Sequence, residues 1–338
     1  MSDFHPLRVA AVDRVTDDAV AVTFALPPEL QGDYAFAPGQ HLAVRRWFEG
    51  EEVRRTYSLC SPAGGPLRIG VRRTGLMSTY LCEELQVGDE LDVLTPLGSF
   101  GPREPLQGKR IGLLAAGSGI TPLLSVAATA LAEGADVLLL YGNRTSRDVM
   151  LVDDVADLKD VHPDRFQVVH VLSREQQGSD LLSGRMDGER LKALVQAFGD
   201  GVEAWYLCGP FGLTEAARPV LAETGAGVHV ELFHPEGTEP RPVVQPAAGT
   251  ELTAVLGGRT STTHLAPGET VLEGVLRVRA DAPYACRGGV CGTCRARLVD
   301  GEVQMDVNYA LEPEEVAAGV VLTCQSRPKT ETLRVEYL

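Results

Sequence analysis

The sequence predicts a multidomain protein: a small antiparallel β-barrel, then a doubly wound α/β domain, then a separate cysteine-bearing domain. Residues 1 to about 105 alternate apolar and polar residues in short runs such as AVAVTFAL and LRIGVRR, which is typical of a barrel. From residue 110, five apolar runs alternate with helical segments, and this order favours a parallel sheet covered on both faces. A stretch with four prolines, residues 234–249, then separates the C-terminal part.

These changes of pattern set the domain limits. We expect the barrel over residues 1–106, the α/β domain over 107–233, a linker over 234–249 and the last domain over 250–338. The predicted helices of the α/β domain are LLSVAATALAEG, ERLKALVQAFG and LTEAARPVLAETG. Because proline stiffens a chain, the linker is expected to be a semi-extended spacer that lets the last domain dock at more than one place.

Composition and charge exclude several classes of protein. The chain has 338 residues, 44% of them hydrophobic, and a formal net charge of -15, so no nucleic-acid partner is expected. The N-terminus lacks the basic and apolar regions of a secretory signal. The uncharged window 113–132 contains glycines and a proline, so it divides into a strand, a loop and a helix, and no membrane segment is expected. Seven cysteines, an odd number, indicate a reducing cytoplasm.

The cysteines near the C-terminus form the most specific motif. The run YACRGGVCGTC places Cys286, Cys291 and Cys294 with the spacing C-x4-C-x2-C, and Cys324 follows in VLTCQS. This is the ligand spacing of a plant-type [2Fe-2S] cluster, which is held by four cysteine thiolates. Glycines in the loop allow it to wrap tightly and to turn amide N–H groups toward the sulfurs.

A zinc site with four cysteines is the alternative. Zinc ligands usually come as two closely spaced pairs, whereas here three ligands share one loop and the fourth is distant, so the spacing favours iron. The other cysteines, Cys60, Cys82 and Cys208, are scattered. For Cys82 we expect a small buried side chain without chemistry.

The run RRTYSLCS, residues 54–61, indicates a nucleotide site in the barrel. On a strand, Arg55 and Tyr57 share one face and Ser58 lies on the other, so a guanidinium and an aromatic ring can meet one ligand. Taken alone, such a pair is more often a surface feature.

A second barrel motif strengthens this interpretation. In GLMSTYL, Gly75 and Ser78 stand at a predicted helix start, where free N–H groups favour a phosphate. Arg72 and Arg73 add positive charge just before it. A stacking ring, an arginine and a helix N-terminus together suit a flavin nucleotide.

Two turns follow buried strands of the α/β domain. The run GSGITP, residues 117–122, lies between a strand and a helix, and it lacks the third glycine of the dinucleotide fingerprint. Pro122 begins the helix instead. The turn Cys208-Gly209-Pro210 follows the strand AWYL. Parallel sheets bind ligands at the carboxyl ends of their strands, where both turns lie.

In this order, the motifs R-x-Y-S, G-x-x-S, G-S-G-I-T-P, C-G-P and the cysteine loop resemble the ferredoxin-NADP reductase superfamily with a fused plant-type ferredoxin domain. The resemblance covers nearly the whole chain and implies a β-grasp fold for the last domain. Within it, the domain order and the run YGNRT resemble the reductases that serve the phenylacetyl-CoA epoxidase, with ketosteroid hydroxylase reductases as close relatives.

The resemblance also implies residue roles. Tyr57 would stack on the flavin ring, Arg55 would bind its pyrophosphate, and Thr121 would lie by the nicotinamide. Phe233 resembles the family's aromatic residue near the flavin, although a core phenylalanine is an equally good interpretation. The implied cofactor-binding residues are Arg55, Tyr57, Ser58, Val71, Arg72, Gly75, Met77, Ser78, Gly117, Gly119, Thr121, Pro122, Arg144, Ser173, Arg174, Cys208, Gly209, Pro210 and Phe233, and the metal ligands are Cys286, Cys291, Cys294 and Cys324.

The residues that follow two predicted strands indicate whether the chain binds NADPH or NADH. LLLYG is followed by Asn143-Arg144, with no acidic residue for a ribose hydroxyl, and Ser173-Arg174 follow the next strand. A 2'-phosphate would pair well with these groups, which favours NADPH and leaves NADH open. FAD is expected from the resemblance, and FMN stays open because some relatives use it.

The implied activity is electron transfer from NADPH through flavin and the cluster to an oxygenase component. No side chain performs the chemistry by itself in this scheme. Two alternatives stay open: the acceptor is a ketosteroid hydroxylase or a Rieske-type oxygenase, or the chain is a redox-sensing or zinc-stabilised binding protein.

Overall fold

The computed structural model describes residues 4–233 and 249–338, and these fall into two compact units that divide between residues 233 and 234. The N-terminal unit contains the barrel and the α/β domain, and the C-terminal unit contains the cysteine motif. Apart from residue 249, the predicted linker 234–249 lies outside the described residues.

The first part of the N-terminal unit is an antiparallel six-stranded barrel. Its sheet order is β4-β3-β6-β1-β2-β5, and a bridge between Leu59 and Ile69 brings the two edges together. Alternating residues such as Leu42, Val44 and Val22 fill its interior. The elements are β1 Phe4–Thr16, β2 Ala19–Ala25, β3 His41–Phe48, β4 Glu51–Ser58, β5 Arg68–Arg72, α1 Leu76–Glu83 and β6 Glu90–Leu94.

The second part is the expected parallel sheet with helices on both faces. The order β11-β10-β7-β8-β9 changes direction at β7, so the loops after β7 and β10 lie side by side. Such a switch point is where these sheets bind nucleotides. The elements are β7 Arg110–Ala116, α2 Ile120–Ala132, β8 Asp136–Asn143, α3 Val152–Val161, β9 Phe166–Leu172, α4 Gly188–Phe198, β10 Ala204–Cys208, α5 Phe211–Ala222 and β11 Gly227–Glu231.

The sequence pattern does not clearly predict two elements of this unit, strand β1 and helix α3. Strand β1 runs for 13 residues and includes Pro6 and several charged residues, which conceal its alternation. Helix α3 has a single buried residue, Val155, and several aspartates, so its apolar stripe is too narrow to predict a helix.

The C-terminal unit is a β-grasp, as the resemblance implied. Its five-stranded sheet has the order β13-β12-β18-β14-β16, with β12 and β18 parallel at its centre. Helix α6 packs on it and starts at a capping box between Thr270 and Glu273. The elements are β12 Glu251–Leu256, β13 Arg259–His264, α6 Val271–Val278, β14 Arg295–Asp300, β15 Val303–Met305, α7 Pro313–Ala317, β16 Val320–Leu322, β17 Ser326–Pro328 and β18 Thr332–Tyr337.

The uncharged window 113–132 forms the second half of a strand, a short turn and a helix, as predicted. Within residues 4–233 and 249–338, the structure contains no helix with the length and apolarity needed to cross a membrane.

Candidate functional site

The R-x-Y-S motif lies at the end of β4. Register with β3 pairs Val44 with Arg55 and Leu42 with Tyr57, so both motif side chains lie on one face of β4. Tyr57 is half-buried against the barrel core, and this burial raises the pKa of its phenol above the usual value. Arg55 is exposed and donates one hydrogen bond, 2.7 Å long, to the carbonyl of Arg54. Among the described residues no carboxylate pairs with Arg55, so its guanidinium can bind an anion.

The G-x-x-S motif shapes the start of α1. The Ser78 hydroxyl accepts hydrogen bonds of 2.9 Å from the N–H groups of Thr74 and Gly75, and it donates to the Gly75 carbonyl. The Ser78 side chain therefore fixes the turn, while the first-turn N–H groups of the helix remain available to a phosphate. A side chain at Gly75 would meet nothing within 4 Å, which shows that this turn faces open space. The side chains of Met77 and Val71 are buried in the barrel core, so any ligand contact there is through the main chain.

The turns after β7 and β10 touch each other. A Cβ atom on Gly119 would lie 2.0 Å from the Cys208 carbonyl oxygen, so only glycine permits this approach. Gly117 adopts a positive φ of 55°. Thr121 donates a hydrogen bond of 2.9 Å to the Ser118 carbonyl, which secures the turn on α2. The structure thus brings the G-S-G and C-G-P turns to one place at the switch point.

Strand β5 of the barrel packs directly on the α/β domain. A Cβ atom on Gly70 would lie 2.2 Å from the Cγ2 atom of Thr121. Arg68 forms an ion pair with Asp154 of α3, with 2.5 Å between Nη1 and Oδ1. Arg72 pairs with Asp18 at 2.8 Å, and its guanidinium lies next to Gly117. The barrel and the sheet are therefore joined beside the candidate nucleotide turns.

Glu231 is a site residue that the sequence analysis missed. The Ser58 hydroxyl donates to its Oε2 atom across 3.5 Å, which connects the end of β4 to the end of β11. Burial raises the pKa of Glu231 to about 8. Burial also raises the pKa of the neighbouring Cys208 thiol, and the Glu231 carboxyl raises it further. The only sequence signal was the position of Glu231 at the end of the last apolar run, two residues before Phe233.

The remaining residues that are predicted to bind the nicotinamide nucleotide lie at the ends of β8 and β9. The N–H groups of Ser173 and Arg174 donate to the carbonyls of Asn143 and Arg144, over 2.9 Å and 2.7 Å. Arg144, Ser173 and Arg174 are all exposed, and the two strand ends are thus held together. Phe233 is half-buried and packs against the core of the α/β domain, as a core phenylalanine does.

The four cysteines of the C-terminal unit approach each other as two pairs. The side chain of Cys286 interacts with that of Cys291, and the side chain of Cys294 interacts with that of Cys324. Across residues 4–233 and 249–338, no three His, Cys, Asp or Glu side chains are arranged to hold one metal ion. Two thiol pairs fit a two-iron cluster, in which each iron takes two protein ligands, better than a single zinc ion.

Main-chain donors surround these sulfurs. The Gly288 N–H lies 3.3 Å from the sulfur of Cys286. Interaction with the Cys291 side chain, followed by hydrogen bonds from N–H groups of the loop, lowers the pKa of Cys286. On the other side, the Thr323 hydroxyl donates to the Cys294 carbonyl over 3.0 Å. Gly289 and Gly292 adopt positive φ angles of 75° and 66°, which give the loop its tight turns. The loop therefore offers thiolates and N–H donors together, as an iron–sulfur cluster requires.

Comparison with known families agrees with this arrangement. The oxidoreductase FAD-binding domain matches residues 6–101, the oxidoreductase NAD-binding domain matches 113–219, and the 2Fe-2S iron-sulfur cluster binding domain matches 255–329. The chain therefore belongs to the ferredoxin-NADP reductase superfamily with a fused ferredoxin domain. It is an electron-transfer reductase with FAD-, NAD(P)- and [2Fe-2S]-binding domains.

Individual relatives narrow the class to oxygenase reductases. The chain is 41% identical to one of the subunits of the 1,2-phenylacetyl-CoA epoxidase of Escherichia coli (strain K12), over 100% of this chain and 98% of that protein. It is 37% identical to the ferredoxin reductase component of 3-ketosteroid-9-alpha-monooxygenase from Mycobacterium tuberculosis (strain ATCC 25618 / H37Rv), over 98% and 95%. The structure of phthalate dioxygenase reductase has the same fold, with a TM-score of 0.61 and 24% identity over 99% of this chain and 98% of that one.

Proposed function

We propose that the chain is the reductase component of an oxygenase of the phenylacetyl-CoA epoxidase type and that NADPH supplies its electrons. The 41% full-length identity to a protein of that epoxidase supports this class of acceptor. The observation that carries the electron-transfer role is the contact of Ser58 with Glu231, because it joins the flavin-motif strand to the nicotinamide sheet. We propose domain limits of 1–106, 107–233 and 250–338, which contain the three family matches.

In this proposal the barrel residues hold FAD. Arg55 and the free first-turn N–H groups at Met77 and Ser78 bind the pyrophosphate, and Gly75 leaves the turn open for it to approach. Tyr57 contributes the ring against which the flavin stacks. Val71 contacts the flavin nucleotide through its main chain, and Arg72 adds a positive charge beside the Gly117 turn.

The α/β domain holds the nicotinamide nucleotide. Gly117, Gly119, Thr121 and Pro122 form the turn at the start of α2, and Cys208-Gly209-Pro210 and Phe233 frame the nicotinamide end. Bound at these residues, FAD would supply the conversion of a two-electron hydride into single electrons for the [2Fe-2S] cluster. With a pKa of about 8, Glu231 holds a proton at neutral pH, so the meeting point of the two domains stays free of its negative charge.

The cysteine pairs hold the cluster. We assign Cys286 and Cys291 to one iron and Cys294 and Cys324 to the other, because within each pair the two side chains interact most strongly. Purified protein is therefore expected to be yellow-brown and to contain iron. A colourless protein with bound zinc and no NADPH oxidation would contradict the whole assignment and favour a binding or sensing role.

Selection of NADPH is assigned to Arg144, Ser173 and Arg174. Glu175, the adjacent acidic residue, accepts hydrogen bonds of 2.8 Å and 3.0 Å from Ser146, so its carboxylate is already engaged. We expect Arg174→Ala to raise the KM for NADPH about tenfold through loss of a charged hydrogen bond. The KM for NADH should stay within about twofold.

The matched control for this cofactor test is Arg147→Ala, since Arg147 is exposed in the loop that follows β8 and forms no part of the proposed site. Steady-state kinetics with both nucleotides give the four KM values. If Arg174→Ala changes both nucleotides equally, or if the wild-type chain prefers NADH, the proposed selectivity for NADPH is wrong.

The acceptor is tested by reconstitution. The purified chain, with NADPH, is combined with the oxygenase component of a phenylacetyl-CoA epoxidase, and the loss of phenylacetyl-CoA is measured. The same reaction with a ketosteroid 9α-monooxygenase oxygenase tests the second candidate, which the 37% identity supports. Turnover of the ketosteroid alone would overturn the proposed acceptor while leaving the reductase activity intact.

A further inference from the structure

Gln325, the residue directly after Cys324, connects the two halves of the cluster site. It is 9% exposed. Its side-chain Nε2 donates a hydrogen bond of 2.7 Å to the carbonyl of Arg287, in the loop between Cys286 and Cys291. The same Nε2 lies 3.5 Å from the sulfur of Cys324. One amide therefore reaches from the segment of the fourth cysteine to the loop of the first two.

The orientation of this amide is settled by its neighbours. A carboxamide nitrogen carries two hydrogens, whereas the carboxamide oxygen carries none. The Arg287 carbonyl can only accept a hydrogen bond, so the nitrogen of Gln325 must face it. The second hydrogen on that nitrogen is then available to the sulfur of Cys324.

The loop is closely fitted around Gln325. A Cβ atom on Gly289 would lie 3.1 Å from the Cγ atom of Gln325 and 2.9 Å from Cγ2 of Val307. Arg287 has a left-handed backbone with a φ of 54°, which a non-glycine residue adopts only when its surroundings hold it there. Its carbonyl is the one that accepts from Gln325, so the hydrogen bond holds this strained residue in place.

The main chain of Gln325 is also fixed. Its N–H donates to the Leu322 carbonyl over 2.9 Å, and its carbonyl accepts from the Asp306 N–H over 2.8 Å. These bonds fix the backbone position from which the side chain reaches across to Arg287. The Nε2 donor of Gln325 is therefore carried by a backbone that is held in place on both sides.

We propose that Gln325 is a positioning residue of the [2Fe-2S] site: its carboxamide fixes the Cys286–Cys291 loop and donates to the sulfur of Cys324, which makes the bound cluster easier to reduce. Hydrogen bonds to cluster sulfurs stabilise the additional negative charge of the reduced form. This inference rests on the assignment of the four cysteines as cluster ligands, as the proposed function has it.

The test is a redox titration of the purified, full-length holoprotein, followed by electron paramagnetic resonance of the reduced cluster. Gln325→Met keeps the length and the apolar stem but removes the donor. We expect the equilibrium constant for cluster reduction to fall about tenfold, which is about 59 mV for a one-electron couple. The potential of the flavin, measured in the same titration, should stay unchanged.

Gln325→Glu is the second variant. Its shape matches glutamine, but a carboxylate accepts hydrogen bonds and repels both the Arg287 carbonyl and the thiolate. We expect a potential below that of Gln325→Met, or a lower iron content with normal flavin content. Gln304→Met, on β15 and outside the cluster loop, is the matched control and should behave as the wild type.

Wild-type potential and resonance spectrum in both Gln325 variants would overturn this inference, with the proposed function unaffected. If Gln325→Met loses the cluster while keeping its flavin and Gln304→Met keeps both, the positioning role is supported. A wild-type chain without any cluster would instead contradict the assignment of the cysteines on which the inference rests.

Discussion

The two units of the molecule build their sites in different ways. In the C-terminal unit, three of the four cysteines proposed to hold the cluster lie within nine consecutive residues. In the N-terminal unit, Ser58 meets Glu231 across 173 positions of the chain. The first site depends on the local path of one glycine-rich loop, and the second depends on two domains packing correctly. Any change that alters the contact between the barrel and the sheet should therefore disrupt the second site.

The largest expected effect is the loss of an activity that needs the cysteine site while an activity that needs only the flavin site is kept. Cys291→Ser removes one of the proposed thiolate ligands, so NADPH-dependent reduction of cytochrome c should fall about a hundredfold or more, beyond the usual effect of losing an outer-shell partner of a ligand. Reduction of ferricyanide, which accepts electrons from a flavin directly, should be unchanged. Cys82→Ser, a change of a buried cysteine of the N-terminal unit, is the control for the loss of a thiol outside the cysteine loop. Equal loss of both activities in Cys291→Ser would show that the two sites are not independent.

The next largest effect is expected from a substitution that tests how closely the turns after β7 and β10 pack against each other. Gly119→Ala places a methyl group 2.0 Å from the Cys208 carbonyl oxygen, where backbone atoms must move. We expect a loss of about 3 kcal/mol in the free energy of unfolding of the N-terminal unit, as for other overpacked sites, together with weaker NADPH binding.

The matched control for this change is Gly212→Ala. Gly212 lies in α5, and a Cβ atom there would meet nothing within 4 Å. Alanine at this helical position should stabilise the protein by up to about 1 kcal/mol. Urea unfolding and nucleotide titration measure both variants, and a Gly119→Ala protein with wild-type stability would contradict the close approach of the turns.

The smallest effect concerns pH. Because burial raises the pKa of Glu231 to about 8, the folded chain binds more protons than the unfolded chain between the ordinary carboxyl value and that pH. This contribution to stability is fully present below the ordinary carboxyl pKa and is lost as the pH rises to about 8. Glu231→Gln should remove this dependence of the free energy of unfolding on pH. We expect a difference of about 1–2 kcal/mol, reduced by solvent screening because Glu231 is partly exposed.

Unfolding midpoints of wild type and Glu231→Gln at about pH 5 and about pH 8.5 measure this dependence. Glu215→Gln, an exposed residue on α5, is the control. Parallel pH profiles in wild type and Glu231→Gln would show that burial does not raise the pKa of Glu231.

The sequence by itself determined the fold class, the order of the domains and the kind of cofactor in each. It did so because the strand and helix periods are local and because the cysteine spacing C-x4-C-x2-C is strict. It also placed Arg55 and Tyr57 on one face of β4, since strand alternation requires it. Only the tertiary structure decided that Glu231 meets Ser58, that Gly119 lies on Cys208 and that Gln325 reaches Arg287. These pairs join residues far apart in the chain, and no local pattern records which distant surface a side chain will meet after folding.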